Sequence, residues 1–265
     1  MRAPRQSRTG RPKVRRRSDQ LTLRDLPFTQ LVRSHPALIE ARRHYADKSP
    51  AERRAAAQWE YDDAIATGLF SEALQRVGRG DPPEPRLDAG VLALAIEPLF
   101  APALLTVGSL EYQLDRVDAA MELFLRLAAL PADGPELAEV IDQAGDFLLD
   151  RNDFGNALRL YETAVAHHAE TAALWSGVGY CLGRLGRRTE AVGAARRAVA
   201  LEPSSAVRLN DLGWALVEAQ SYNEARTVLE QAVALAPADY DLPRANLMKL
   251  EECLEQKHGS RKDRT

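Results

Sequence analysis

The sequence predicts an all-α protein built as a solenoid of stacked helical pairs. Residues 138–239 fall into three 34-residue units that superimpose without a gap. Gly145, Gly179 and Gly213 share one offset, as do Ala157, Ala191 and Ala225, then Ala164, Ala198 and Ala232, then Val165, Val199 and Val233. The residue before each Gly is apolar (Ala144, Val178, Leu212), Leu148, Leu182 and Leu216 close each first helix, and Pro203 and Pro237 end two units. Self-similarity at a fixed period of this size marks an array in which each unit packs only on its neighbours. Composition agrees: 28% charged and only 6% aromatic residues suit helices that cross closely through small side chains.

Residues 1–19 contain Arg2, Arg5, Arg8, Arg11, Lys13, Arg15, Arg16 and Arg17, a charge of +8 over residues 1–18. The remaining residues hold 27 basic and 38 acidic side chains, a net −11 in a chain of formal charge −3. So charged a segment has too little apolar surface to offset ordering entropy, and it is expected to be disordered. Its open readings are an arm for nucleic acid or another anionic surface, a targeting signal, an internal ligand for the acidic body, and a solubilising tail.

Residues 20–66 read as a helical N-terminal cap, because a terminal repeat cannot leave its apolar face open. One helix starts at Ser34–Pro36 and runs through Ala46. The next starts at Ser49-Pro50-Ala51-Glu52, where Ser49 caps, Pro50 takes the first turn and Glu52 reaches back to the cap amide. Trp59 is assigned to that helix's buried side. Residues 67–100 form a degenerate repeat. Phe70, Ala73, Leu74 and Val77 line one helix, and Leu87, Val91, Leu94 and Ala95 line the next, across a turn at Gly78–Pro85. Residues 101–134 form a better repeat through Leu104, Val107-Gly108, Ala120, Phe124, Leu127 and Pro131. The step from Ala120 to Ala157 is 37 rather than 34 residues, and Pro131–Pro135 supplies the longer turn. The regular repeats are 138–171, 172–205 and 206–239. Residues 240–258 form a closing helix with Leu247, Leu250 and Leu254 inward and Glu251, Glu252, Glu255 and Lys257 outward, and 259–265 is expected to fray.

The middle unit carries Trp175, Val178-Gly179, Ala191, Ala195, Ala198 and Pro203, and the last carries Leu209, Leu212-Gly213, Tyr222, Ala225, Leu229, Ala232 and Pro237. With the 34-residue period, these W-x2-L-G-like, A-x3-F-like and terminal Pro positions resemble the tetratricopeptide repeat (TPR) family. The resemblance implies a right-handed α-α superhelix (a TPR solenoid) with helical caps and a disordered basic N-terminal tail. It also implies that the first helix of each pair lines a concave groove where ligands lie, and that Trp175 is a core residue. On the family's inward positions stand Asp146, Tyr180 and Trp214, one after each Gly, and Asp142, Ser176 and Asn210, three before it. Farther along come Leu149 and Asp150, Gly183 and Arg184, Val217 and Glu218. Some TPR cochaperones hold a C-terminal carboxylate with Lys, Arg and Asn at these places. Here only Asn210 and Arg184 are of the right kind, so that clamp is not expected.

Glu139, Asp142, Asp146 and Asp150 advance by 3, 4 and 4 residues, which keeps them within ~80° on one helix face. Like charges at that spacing cost helix stability, so the stripe is either a solvated face or a surface for a basic partner. Tyr180 and Trp214 next to it are either aromatic anchors or packing between first helices.

No catalytic constellation emerges, and no cofactor or metal is expected. His167 and His168 are adjacent and point ~100° apart on a helix, and no phosphate-binding loop occurs. Cys181, on an inward helix position, and Cys253 lie 72 residues apart, and Cys181 reads as a small buried hydrophobe. The longest uncharged apolar run, Pro98–Leu110, holds two prolines and is too short to span a bilayer, so a cytoplasmic location is expected. The expected function is a non-catalytic TPR interaction module or scaffold. It would bind a peptide or partner protein with basic and apolar residues through Glu139, Asp142, Asp146, Asp150, Ser176, Tyr180, Arg184, Asn210, Trp214 and Glu218. The alternatives are a nucleic-acid-associated adaptor using residues 1–18, and an accessory subunit of an enzyme complex.

Overall fold

The structure, a computed structural model, describes residues 26–66, 89–131 and 135–262. Among these the chain forms thirteen α-helices and no strand. The arginine-rich segment, the first helix of the degenerate repeat with its Gly78–Pro85 turn, and the middle of the Pro131–Pro135 connection lie outside the described residues. The helices are α1 (Phe28–Ser34), α2 (Pro36–Tyr45), α3 (Pro50–Ala66), α4 (Ala89–Ile96), α5 (Ala101–Gln113), α6 (Val117–Ala128), α7 (Pro135–Leu149), α8 (Phe154–His167), α9 (Ala172–Arg184), α10 (Arg188–Leu201), α11 (Ala206–Glu218), α12 (Tyr222–Leu235) and α13 (Leu242–Lys262). The chain divides within α6 into two compact units, Met1–Leu123 and Phe124–Thr265.

In the first unit the start of α1 is fixed by a buried carboxylate. The Phe28 N–H donates to Glu111 Oε1 at 2.9 Å, and Arg116 lies 3.4 Å from the other oxygen while donating to the Leu26 carbonyl at 2.8 Å. Burial pushes the Glu111 carboxyl up, against the pull of the amide and the guanidinium. The expected capping box opens α3: the Ser49 N–H donates to Glu52 at 2.9 Å and the Glu52 N–H to Ser49 Oγ at 3.3 Å. Trp59 is the correction here, since it is 47% exposed. The inward stripe of α3 runs through Ala57, fully buried, and Tyr61, whose hydroxyl lies 3.1 Å from Thr106 Oγ1 and whose ring meets Phe100 edge-on. Trp59 lies two residues beyond Ala57, ~200° around the helix, and so points away.

In the second unit α7–α8, α9–α10 and α11–α12 are the three helical pairs, each packed internally and on the next. The period is written into the backbone as well as the side chains. Asn152, Gly186 and Gln220, 34 residues apart, all take positive φ (56°, 77° and 62°) just after each first helix. The next N–H in each case reaches back to the leucine that closes that helix: Asp153 to Leu148 at 3.0 Å, Arg187 to Leu182 and Ser221 to Leu216 at 2.9 Å. A left-handed residue followed by this long back-bond is the helix stop that satisfies otherwise orphaned carbonyls. Asp115, at φ 62° in the first unit, marks the same turn 37 residues before Asn152, matching the longer step read from the alanines.

The repeat alanines occupy the close crossings: Ala157, Ala164, Ala191, Ala198, Ala225 and Ala232 are at most 1% exposed. Cys181 is buried, and burial pushes its thiol up to about 12. Leu250 on α13 joins a core cluster with Leu212, Leu216 and Leu229, and Leu247 and Leu254 pack against it. The helix itself continues to Lys262, past the end that its amphipathic pattern suggests.

Candidate functional site

The first helices α7, α9 and α11 lie side by side, and α13 packs on α11. Across this row runs an open groove of about 750 Å³. Nine of the ten residues expected to line a groove do so: Asp142, Asp146, Asp150, Ser176, Tyr180, Arg184, Asn210, Trp214 and Glu218. Glu139 does not, although it shares their helix and is exposed. It lies one turn before Asp142, beyond the groove's edge.

The acidic end belongs to α7. Burial pushes the Asp146 carboxyl above its ordinary range, and the charges of Asp142 and Asp150 push it the same way. Asp142 is held from below by Tyr161, whose hydroxyl donates to Asp142 Oδ1 at 2.8 Å. Tyr161 belongs to α8, behind the groove, and is 1% exposed. One edge of its ring lies against Gly145 and the other against Gly177, where an added Cβ would come within 2.5 Å of the ring. The two glycines open the slot through which the hydroxyl reaches the groove floor. Burial, and then the Asp142 carboxylate, hold that hydroxyl far above the ordinary tyrosine value.

The corresponding second-helix positions in the next repeats are Ala195 and Leu229, 34 and 68 residues on. Leu229 covers Gly213 as Tyr161 covers Gly145. Ala195 is too short to cover Gly179, so the two backbones close in: a Cβ at Gly179 would meet the Ala191 carbonyl at 3.3 Å. Gly179 and Ala195 both reach the groove there. Tyr180, 49% exposed, stands over this middle section. The Arg184 guanidinium is 4.5 Å from the Phe154 ring centroid and 6.0 Å from that of Tyr180.

At the far end the Trp214 ring carries Lys249 Nζ at 4.9 Å from its centroid. Leu242 and Asn246, also from α13, complete the lining. Asn210 is only 3% exposed and accepts a hydrogen bond from the Asn246 amide at 2.8 Å, which ties α11 to the closing helix. Ser176 accepts from Arg208 at 3.2 Å, and Arg208 in turn meets Glu202 at 3.2 Å and Asp211 at 3.7 Å. Burial pushes the Asp211 carboxyl up, opposed by Ser176 and Arg208. Trp175, expected in the core, is half-buried at the repeat's edge, where its indole N–H donates to the Ala169 carbonyl at 2.8 Å. In all, five carboxylates and two guanidiniums line the groove, so its field is negative.

Sequence reasoning missed Tyr161, Arg208, Asp211 and the α13 residues. A signal for Tyr161 does stand in the sequence. Gly177 occupies an offset where the neighbouring units carry Gln143 and Asp211, and the Tyr161 ring lies where a side chain at that offset would begin. Among the described residues no group of His, Cys, Asp and Glu is arranged to hold a metal, and no helix is long and apolar enough to cross a membrane.

Comparison with known proteins adds the family. Tetratricopeptide repeat models match residues 143–206 and 208–239. These stretches are tetratricopeptide repeats. It is 27% identical over 154 residues to the peroxisomal targeting signal receptor of Eremothecium gossypii, a match spanning 52% of this chain but only 26% of that receptor. Among solved structures it is similar to YrrB, described as a TPR protein with an unusual peptide-binding site (TM-score 0.47, 15% identity, 83% of this chain and 97% of that one). It is also similar to the Sgt2 TPR domain of Aspergillus fumigatus (TM-score 0.44, 19% identity, 48% of this chain and 84% of that one). The repeats make the chain a protein-interaction module.

Proposed function

We propose that the groove across α7, α9, α11 and α13 binds a segment of a partner protein that carries basic and apolar side chains, without catalysing a reaction on it. One observation carries this reading: three aspartates on a single helix face and the aromatic rings of Tyr180 and Trp214 line the same open groove. The arrangement is costly to the free protein. Like charges four residues apart destabilise a helix, and the Asp146 carboxylate is further disfavoured by burial. A cationic side chain laid against α7 relieves both costs, and the field of the groove draws basic segments in. Tyr180, exposed, and Trp214, half-buried, supply the aromatic contact area that binding hot spots use.

The test is affinity capture with the full-length chain, identification of the captured proteins by mass spectrometry, and titration of their basic segments against variants. Trp214→Ala should weaken binding by about tenfold or more while leaving unfolding nearly unchanged. Trp175→Ala, which loses the hydrogen bond to Ala169, should lose stability and retain affinity per folded molecule. Equal stability loss from both, with no binding defect from Trp214→Ala, returns Trp214 to a packing role and ends this reading.

A further inference from the structure

Resting on that reading of the groove, we infer the layout of its ligand: an extended segment with a basic side chain and a bulky apolar side chain six residues apart. The groove has chemically distinct ends. Asp142, Asp146 and Asp150 stand on α7, while Trp214 stands on α11 with Leu242 of α13 beside it in the lining. Only α9 intervenes, since α7 packs on α9 and α9 on α11. Packed helices are ~8–10 Å apart, so the two ends are separated by roughly 16–20 Å.

An extended strand advances ~3.3 Å per residue and a polyproline-type chain ~3.1 Å, so six residues span about 19–20 Å. Four residues fall short at about 13 Å, and eight overshoot at about 26 Å. Parity gives a second constraint. In a strand only even separations put two side chains on one face, and in a polyproline helix only multiples of three do so. Six satisfies both. Five and seven satisfy neither, and they turn one of the two anchors out to solvent.

Three helix-to-helix steps make the groove ~24–30 Å long, the reach of an extended segment of about eight residues. Beside Tyr180, the middle section offers Ala173, Ser176, Gly179 and Ala195, whose small side chains leave room for a passing backbone.

The experiment is a fluorescence-anisotropy titration of the full-length chain with labelled peptides of fixed composition. Each holds one Arg and one Phe in a Gly/Ser background, separated by four to eight positions. The six-residue separation should bind about tenfold tighter than five or seven. In Trp214→Ala that preference should vanish, whereas Asp146→Asn should weaken every peptide alike. Basic peptides that bind equally at all separations overturn this inference and leave the proposed function standing. No binding by any of them, at low salt, removes both. A six-residue preference that emerges only when residues 1–18 are deleted makes the chain's own arginine-rich segment the occupant, and overturns the inference of an outside ligand.

Discussion

Gly177→Ala isolates the contact that builds the groove floor. On an exposed helix the change would stabilise by ~1 kcal/mol through helix propensity. Here the new methyl group would come within 2.5 Å of the Tyr161 ring, which is blocked on its other edge by Gly145. The ring cannot tilt away from one glycine without striking the other. Overpacking of this kind costs ~1–3 kcal/mol. Displacing the ring also breaks the 2.8 Å bond from its hydroxyl to Asp142, a hydrogen bond to a charged group of a type whose net contribution is ~1.5–3 kcal/mol. Against the propensity gain, a net loss of about 1.5–5 kcal/mol is expected. The assay is urea unfolding followed by tryptophan fluorescence in a Trp59→Phe background, where both remaining tryptophans, Trp175 and Trp214, report on the second unit. Gly193→Ala on α10 is the control. Nothing lies within 4 Å of a Cβ there, so it should gain ~0.5–1 kcal/mol. In a Tyr161→Ala background the Gly177→Ala penalty should disappear and become a gain, because the obstructing ring is gone. If Gly177→Ala stabilises the protein as Gly193→Ala does, the clamp described for Tyr161 is wrong.

Two further outcomes follow, one from the left-handed turns and one from the acidic helix. Gln220 holds φ 62° at a position where the middle repeat has Gly186, so Gln220→Gly should stabilise by ~0.5–1 kcal/mol and Gly186→Ala should cost ~1 kcal/mol, both read from urea midpoints. Opposite signs would mean that these turns do not hold their left-handed residue. The raised carboxyl of Asp146 gives a pH signature: its contribution to stability is full below the ordinary aspartate value of 3.8 and is lost as pH rises through the higher folded value. Asp146→Asn should therefore be more stable than the parent chain at pH 7, with the difference closing as pH falls toward ~3. A difference that stays constant across that range removes the carboxylate's charge as the cause.

Much of the fold is legible in the sequence because a repeat states each rule several times. Leu148, Leu182 and Leu216 recur because each side chain is buried in the core near the end of its first helix. The conformation that makes the back-bond to each of these leucines possible is not legible, since Asn152 and Gln220 carry no glycine to announce a left-handed turn and only Gly186 does. Outside the repeats the sequence says less. Size alone argues for an inward Trp59, whereas the helix phase set by Ala57 and Tyr61 turns it outward. In the groove, periodicity finds the face but not the occupancy of each position. Asn210 shares an offset with Asp142 and Ser176, yet it is closed off by Asn246 from a helix that lies outside the period.

Behind the groove's unlike ends, one position in the hidden layer differs from repeat to repeat. Tyr161, Ala195 and Leu229 stand at the same offset behind their respective first-helix glycines. A leucine there fills the crossing and leaves the groove face unchanged. An alanine leaves the Gly179 backbone close to the Ala191 carbonyl, with Gly179 and Ala195 in the groove lining. A tyrosine goes further, because its hydroxyl passes between two glycines and grips the Asp142 carboxylate in the groove. The side chains that differ most in size at this offset thus lie in the second helices. They decide what meets each first-helix glycine and, through Tyr161, hold Asp142, and so link the packing of the second helices to the chemistry offered by the first.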